Sequence, residues 1–176
     1  MEKFSDIISV NAFLLKNDEK HFLKLYRKYT PILYPFILRS LNYNHYLTEE
    51  IIQETWVRVV QSLRSFKWKS SFQTWLFGIA INVKREFTRS KENEHVEINS
   101  FKEKTIDEDK TSLEKLDLEN AVAALPEGYK NVLMLHDIYG FKHKEISEIL
   151  GIKEGTSKSQ LSHARAAMQK FLSEKN

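Results

Sequence analysis

Between Ser65 and Lys91 the chain reads SFKWKSSFQTWLFGIAINVKREFTRSK. Its first part sets Phe66 and Trp68 among Lys67, Lys69, Ser70 and Ser71. Rings that stack on unpaired bases, beside cations that hold phosphates, meet the two requirements of a single-strand platform. A helix capped by Ser71 is predicted to follow, with Phe72, Trp75, Leu76, Ile79, Val83 and Phe87 on one side. Its other side carries Asn82, Lys84, Arg85 and Arg89, a basic and hydrogen-bonding face. Phe72 and Trp75 lie on the apolar line and are expected in the core. Trp68 precedes the helix and is the better candidate for a base.

A second stretch suits duplex DNA. In HKEISEILGIKEGTSKSQLSHARAAM, residues 143–168, two short helical patterns meet at Gly151. Ile146, Ile149 and Leu150 line the first. Gly151 sits where a helix C-cap needs a left-handed backbone, and Thr156 is placed to cap the second helix. That helix has an apolar line through Leu161, Ala164, Met168 and Phe171 or Leu172. Two helices joined by a short turn, the second small and basic outside, spell helix-turn-helix.

Other elements must present these two surfaces. A helix is predicted from Asn17-Asp18 with Phe22, Leu25, Tyr26 and Tyr29 inward, and Pro31 and Pro35 are expected to kink or break it before Leu33, Phe36, Ile37 and Leu41. TEEIIQETWVRVVQSL, residues 48–63, is the strongest single helix: Thr48 caps it, Ile52, Trp56, Val59 and Leu63 point inward, and Ile51 and Val60 widen that line. Glu50, Gln53, Glu54, Val57, Arg58 and Gln61 lie outside, either as a solvated face or as a dock for a basic protein surface. Past residue 112, Leu118, Val122 and Leu125 line one helix. Pro126 opens the next, lined by Val132, Leu133, Leu135 and Ile138 and ended by Gly140. With the helix-turn-helix these make a domain of roughly sixty residues, near the lower limit for independent folding. Phe4, Ile7, Ile8, Val10, Phe13 and Leu14 either extend the first domain or serve an inhibitor.

Composition narrows the class. No cysteine among 176 residues excludes a disulfide scaffold, a thiolate zinc site and a cysteine nucleophile. The six histidines show no metal-ligand spacing, and no glycine-rich loop cradles a nucleotide, so neither catalysis nor a cofactor is expected. No apolar run approaches the ~20 residues of a spanning helix, which predicts a cytoplasmic chain without membrane insertion. Residues 1–90 hold 14 Lys and Arg against 8 Asp and Glu, residues 91–119 hold 5 against 10, and residues 120–176 hold 8 against 6. Two basic blocks flanking an acidic, aperiodic segment suit a nucleic-acid partner. The fold expected is all-α: two small helical domains, 1–90 and 113–176, joined by a flexible acidic linker over 91–112, the second domain a helix-turn-helix.

Four segments, in this order, resemble the extracytoplasmic-function sigma factors of the sigma-70 family: Glu49 to Trp56 (EEIIQETW); Phe72 to Arg89 (F-x-x-W-L-x-x-I-A-x-N, then Glu86 and Arg89); Leu125-Pro126-Glu127 through Gly140; and Gly155-Thr156 through Ala164-Arg165. The resemblance spans about residues 18–90 and 113–172. It implies a transcription initiation factor that binds core RNA polymerase, through the beta-prime clamp helices and the beta flap, and directs it to promoter DNA. By position, Glu50, Gln53, Glu54, Trp56 and Arg58 become polymerase contacts or their supports. Phe66 to Ser71 become the loop for a flipped base of the melted minus-ten strand, with Asn82, Lys84, Arg85 and Arg89 nearby. Lys153, Thr156, Lys158, Ser159, Gln160, His163 and Arg165 become the surface for the minus-thirty-five duplex. An anti-sigma factor is a further partner the resemblance implies.

Three positions depart from the family pattern. It usually has an aliphatic residue at Ser157 and arginine at Gln160 and His163. Gln160 could pair with adenine where arginine favours guanine, so a different upstream element is expected. On residue chemistry alone a second function fits: a stand-alone helix-turn-helix regulator, dimeric on palindromic DNA, with residues 1–90 as a ligand-sensing or dimerisation domain. A third class, an RNA-binding or polymerase-associated structural protein, explains the aromatic-lysine loop but leaves the helix-turn-helix idle.

Overall fold

The computed structural model describes residues 2–16, 18–93 and 118–173. Every regular element among them is helical. The chain divides into two compact units, Met1–Leu38 with His45–Asn99, and Arg39–Asn44 with Ser100–Asn176. All but 91–93 of the expected linker lies outside the described residues.

The first unit contains α1 (Glu2–Lys16), α2 (Glu19–Ser40), α3 (His45–Ser62) and α4 (Phe72–Asn93). The N-terminal apolar residues form α1, which buries Val10 together with Asp6 and Ser9. The Asp6 carboxylate is satisfied from α2, by the Tyr29 hydroxyl at 2.5 Å and Lys28 Nζ at 2.8 Å. Asp18 caps α2, accepting from the Lys20 N–H at 3.0 Å.

The prolines do not break the helix: α2 runs through Pro31 and Pro35 as one element. Each internal proline costs about 3 kcal/mol. The buried line of Leu25, Tyr29, Leu33, Phe36 and Ile37 returns about 1.5–3 kcal/mol per side chain, which outweighs that cost. In α3, Thr48 is not the cap: the helix starts at His45, and Thr48 is fully buried beside Leu47 and Ile51. Val60 faces outward, whereas Thr55 is buried and returns its hydroxyl to the Ile51 carbonyl at 2.6 Å. Helix α4 packs on α3 and buries Phe72, Leu76, Phe77, Ala80, Ile81 and Val83, with Phe72 against Tyr29 and Phe77 against Phe36 of α2.

The second unit contains a helix over 118–124 (α5), then α6 (Glu127–Leu133) continuing into a π-helical turn (Met134–Ile138), α7 (His143–Leu150) and α8 (Glu154–Ser173). Pro126 precedes α6 and its carbonyl takes the first helical bond, from Lys130 N–H at 2.9 Å. Leu118 and Ile138, expected inside, are exposed. Ala121 and Met134 are buried in the same stretch. The widened π turn rotates Ile138 off the apolar line.

Gly151 closes α7 with φ 68° and ψ 35°, and the Ser147 carbonyl accepts from both Gly151 and Ile152 N–H groups. Helix α8 then begins at Glu154, with the Lys153 carbonyl accepting from Ser157 N–H at 3.0 Å. Thr156 therefore lies within the first turn of α8 and does not cap it. Helices α6, α7 and α8 close a core of Val132, Leu135, Ile146, Ile149, Leu161 and Ala164.

Candidate functional site

On α3, Gln53 is exposed and Glu50 and Glu54 are half-buried, as an outer face requires. Arg58 is already engaged on both sides. Its Nε donates to Glu54 Oε1 at 2.7 Å, and its Nη groups reach the Glu86 carboxylate on α4 at 2.7–2.8 Å. These two carboxylates raise the guanidinium pKa further, and Arg58 in turn lowers that of Glu86. Arg58 thus ties α3 to α4.

Trp56 does not belong to the outer face. It is 4% exposed, donates its indole N–H to Thr30 Oγ1 at 3.0 Å, and packs against Phe22 and Tyr26. It is a core anchor that supports the face. Val57, 49% exposed, is the apolar member of that face.

After a 3-10 turn (Leu63–Ser65), the 66–71 loop leads into α4. Phe66 stacks on Trp75 with centroids 4.4 Å apart at 17°, and Trp68 adds to Phe66 at 4.7 Å. A row of rings therefore runs from α4 outward to Trp68, so Trp68 has a packing partner that its sequence position does not show. It also adopts φ +57°, the left-handed region that bulky residues avoid.

Lys67 and Lys69 are exposed and Ser70 is half-buried. Ser71 is occupied as a cap: its Oγ accepts from Thr74 N–H at 3.0 Å and pairs with the Thr74 hydroxyl at 2.7 Å. Asn82, Arg85 and Arg89 are exposed along α4. Lys84 is not part of that face. It is 1% exposed, because positions 77, 80, 81 and 84 share one buried stripe of the helix.

In the second unit, Lys153, Lys158, Ser159, His163 and Arg165 are exposed on the turn and α8, and Thr156 is half-buried. Ser162, between Lys158 and Arg165 on the same side, is exposed as well and belongs with them. Lys158 pairs with Glu154 at 2.7 Å, one turn away, and the His163 ring stacks on Tyr129 of α6 at 5.8 Å.

Gln160 is turned the other way. Its Oε1 is enclosed without a hydrogen-bond partner, and its amide rests on Gly128 of α6, with Nε2 3.2 Å from where a Cβ would stand. The adenine-reading role expected for Gln160 is not available in this conformation: its polar end fills the space beside a side-chain-free residue.

Ser157, where the family pattern has an aliphatic residue, is fully buried and pairs with His143 Nδ1 at 2.9 Å. The His143 ring stacks on His136 at 4.8 Å, and His136 pairs with Asp137 at 2.7 Å. Asp137 also receives Arg165 through two N–H groups, at 2.6 and 3.0 Å. Neither His143 nor Asp137 carries a local sequence signal for its partner on α8, which lies 14 residues away for the first and 28 for the second. Among the described residues, no group of three or more His, Cys, Asp or Glu could hold a metal ion, and no helix is long and apolar enough to cross a membrane.

Burial holds the His143 imidazole below its ordinary 6.5, with His136, Lys158 and Arg165 adding to the effect and Glu154 opposing it. The fold therefore favours the neutral ring, and the unfolded chain takes up its proton at higher pH. The resulting stability is complete above the ordinary value and is lost as pH falls through it towards the depressed one. His143→Asn, which keeps a polar atom for Ser157, is expected to flatten the decline of melting temperature below pH 6.5. An undiminished decline would place the titrating group elsewhere.

A family model described as Sigma-70 region 2 matches residues 25–94, and one described as Sigma-70, region 4 matches residues 115–168. The ECF RNA polymerase sigma factor SigW of Bacillus subtilis is 29% identical over 174 residues, covering 89% of this chain and 91% of the relative. The ECF RNA polymerase sigma-E factor of Haemophilus influenzae is 24% identical over 169 residues, 88% of each protein. Two solved structures share the fold. The sigma factor RpoE from Bartonella quintana, solved with the anti-sigma factor NepR, has a TM-score of 0.70 at 24% identity and covers 88% of this chain and 98% of its own. CnrH, solved with the cytosolic domain of CnrY, has a TM-score of 0.71 at 19% identity, covering 99% and 98%. The two sigma-70 models fall one on each helical unit, in chain order, and leave the stand-alone regulator without its separate sensing domain. The chain belongs to the sigma-70 family and is an extracytoplasmic-function sigma factor, a transcription initiation factor of RNA polymerase.

Proposed function

We propose that the first unit docks core polymerase through the outer face of α3 and captures the melted minus-ten strand with residues 66–89, while α8 reads the minus-thirty-five duplex. Glu50, Gln53, Glu54 and Val57 form the docking face on the beta-prime clamp helices, with Trp56 and Arg58 as its supports. The second unit reaches the beta flap. The chain works in the cytoplasm, where its polymerase is, and needs no cofactor. An anti-sigma factor, the class of partner solved with the Bartonella relative, would find the exposed Phe4, Ile8 and Leu15 of α1 available.

The strand-capture reading rests on Trp68. A left-handed backbone at a tryptophan costs roughly 1–2 kcal/mol, and strain of this kind gathers where a side chain must be aimed. The ring ends a row of three aromatics, flanked by exposed Lys67 and Lys69, and a base added to that row gains about 1–3 kcal/mol. Lys67, Lys69, Asn82, Arg85 and Arg89 hold the strand, Phe66 carries the stack, and Ser70 and Ser71 shape the turn.

Reconstitution with core polymerase and run-off transcription from a promoter selected by the holoenzyme tests the whole reading. Within it, Trp68→Ala is expected to lower open-complex formation on the order of tenfold while leaving closed-complex binding near wild type. Equal loss in both steps would remove Trp68 from base capture.

A further inference from the structure

Arg165 and Asp137 meet edge to edge, in a two-point pairing like that of Arg58 and Glu86 in the first unit. Asp137 Oδ2 accepts from Arg165 Nε at 3.0 Å and Oδ1 from Nη2 at 2.6 Å, a two-point grip on one edge of the guanidinium. The grip fixes the plane and direction of the side chain. A guanidinium has five N–H donors. The other three remain on the edge turned away from Asp137, and Arg165 is 56% exposed.

The carboxylate itself is held in place. It accepts from His136 Nδ1 at 2.7 Å if that nitrogen carries the proton, and it sits in the π turn, where Tyr139 N–H reaches back five residues to the Met134 carbonyl at 3.1 Å. Such a widened turn sets a side chain at an angle an α-helix does not offer, and such turns gather at functional sites. Arg165 lowers the Asp137 pKa, ahead of His136, so the carboxylate stays ionised.

An exposed ion pair adds about 1 kcal/mol or less to stability, with a two-point pair at the upper end of that range, so the place of this pair on α8 is what bears on function. On α8, Lys158, Ser162 and Arg165 follow at spacings of four and three and share one exposed side. The pair therefore stands at the far end of the proposed duplex-reading surface.

We propose that Asp137 is a positioning residue for upstream-element recognition: its carboxylate grips Arg165 and presents the remaining guanidinium donors to a phosphate or guanine edge. The inference rests on the reading of α8 as the duplex-reading helix. Side-chain freedom that would otherwise be lost on binding is lost beforehand, which is how preorganisation raises affinity. Both oxygens of Asp137 are engaged before DNA arrives, Oδ1 by Arg165 and His136 and Oδ2 by Arg165, so its charge is largely offset where it stands.

The test uses the full chain in holoenzyme and a duplex selected from a randomised pool by the wild-type holoenzyme. Asp137→Asn is expected to weaken duplex binding roughly tenfold. The same substitution in an Arg165→Ala background is expected to change nothing, since there is no guanidinium left to orient. Arg165→Lys keeps the charge but loses the fork, and is expected to weaken binding about as much as Asp137→Asn.

Unchanged or tighter binding by Asp137→Asn overturns the inference, because the acid would then be idle or competing with DNA. A loss that persists in the Arg165→Ala background overturns it too, by making Asp137 merely structural. If Arg165→Ala alone leaves binding intact, Arg165 is not on the duplex, and both the α8 assignment at that residue and the inference fall.

Discussion

Trp56→Ala is expected to destabilise the first unit by about 3–5 kcal/mol. For a unit of this size that lowers the melting temperature on the order of 15 °C or more. The ring is 4% exposed, wedged between α2 and α3 against Phe22 and Tyr26, so truncation leaves a cavity that only rearranged helices could close. The indole bond to Thr30 Oγ1 is lost as well, although Thr30 is half-buried and able to find water. Trp56→Phe keeps most of the apolar volume and is expected to recover more than half of the loss. Thermal denaturation of the free chain measures both variants. A shift below about 1 kcal/mol for Trp56→Ala would mean that α2 and α3 do not pack through this ring.

The second large effect concerns polymerase. Glu54→Lys is expected to lower affinity for core polymerase by about 2 kcal/mol or more, which is about thirtyfold in competition with a labelled sigma factor. The substitution reverses a charge in the middle of the proposed docking face and removes one of the two acids that hold Arg58. The exposed pair with Arg58 is worth about 1 kcal/mol at most, and Glu86 remains, so a nearly unchanged melting temperature is expected alongside the binding loss. Val57→Lys, one turn from Gln53 on the same face, is expected to act in the same direction without touching any ion pair. Wild-type binding by both variants would move the docking surface off α3.

How far the sequence predicted these features depends on the reach of the interactions that make them. Asp18, Ser71 and Gly151 mark helix ends because each cap acts on an amide or carbonyl within four residues, and all three are found where spacing puts them. Thr48 and Thr156 carry the same chemistry but lie inside helices, since burial beside Leu47 and the bonds accepted by Lys153 extend those helices upstream. The prolines of α2 mislead for a similar reason: the local cost is visible, whereas the buried line that offsets it depends on α3 and α4.

In the candidate site, the exposed lysines and arginines of the 66–71 loop, α4 and α8 follow from helical periodicity. Lys84 and Gln160 do not, because charge and polarity predict an outward side chain that the packing contradicts at both. Asp137 and His143 are linked to α8 by contacts spanning 28 and 14 residues, beyond the four-residue reach of helical periodicity.

Gly128 acquires a second significance from its contact with Gln160. A methyl group at that position would stand 3.2 Å from the Gln160 amide, and the easy way to relieve the crowding is to swing that flexible end aside. Alanine also favours a helix over glycine by about 0.8–1 kcal/mol, so the exchange carries little thermodynamic penalty. An amide released from this niche joins the outer face of α8, where a glutamine can pair with adenine. Under the proposed reading of α8 as the duplex-reading helix, Gly128→Ala on the neighbouring α6 is then a way to alter what that helix offers to DNA without substituting any residue of α8 itself.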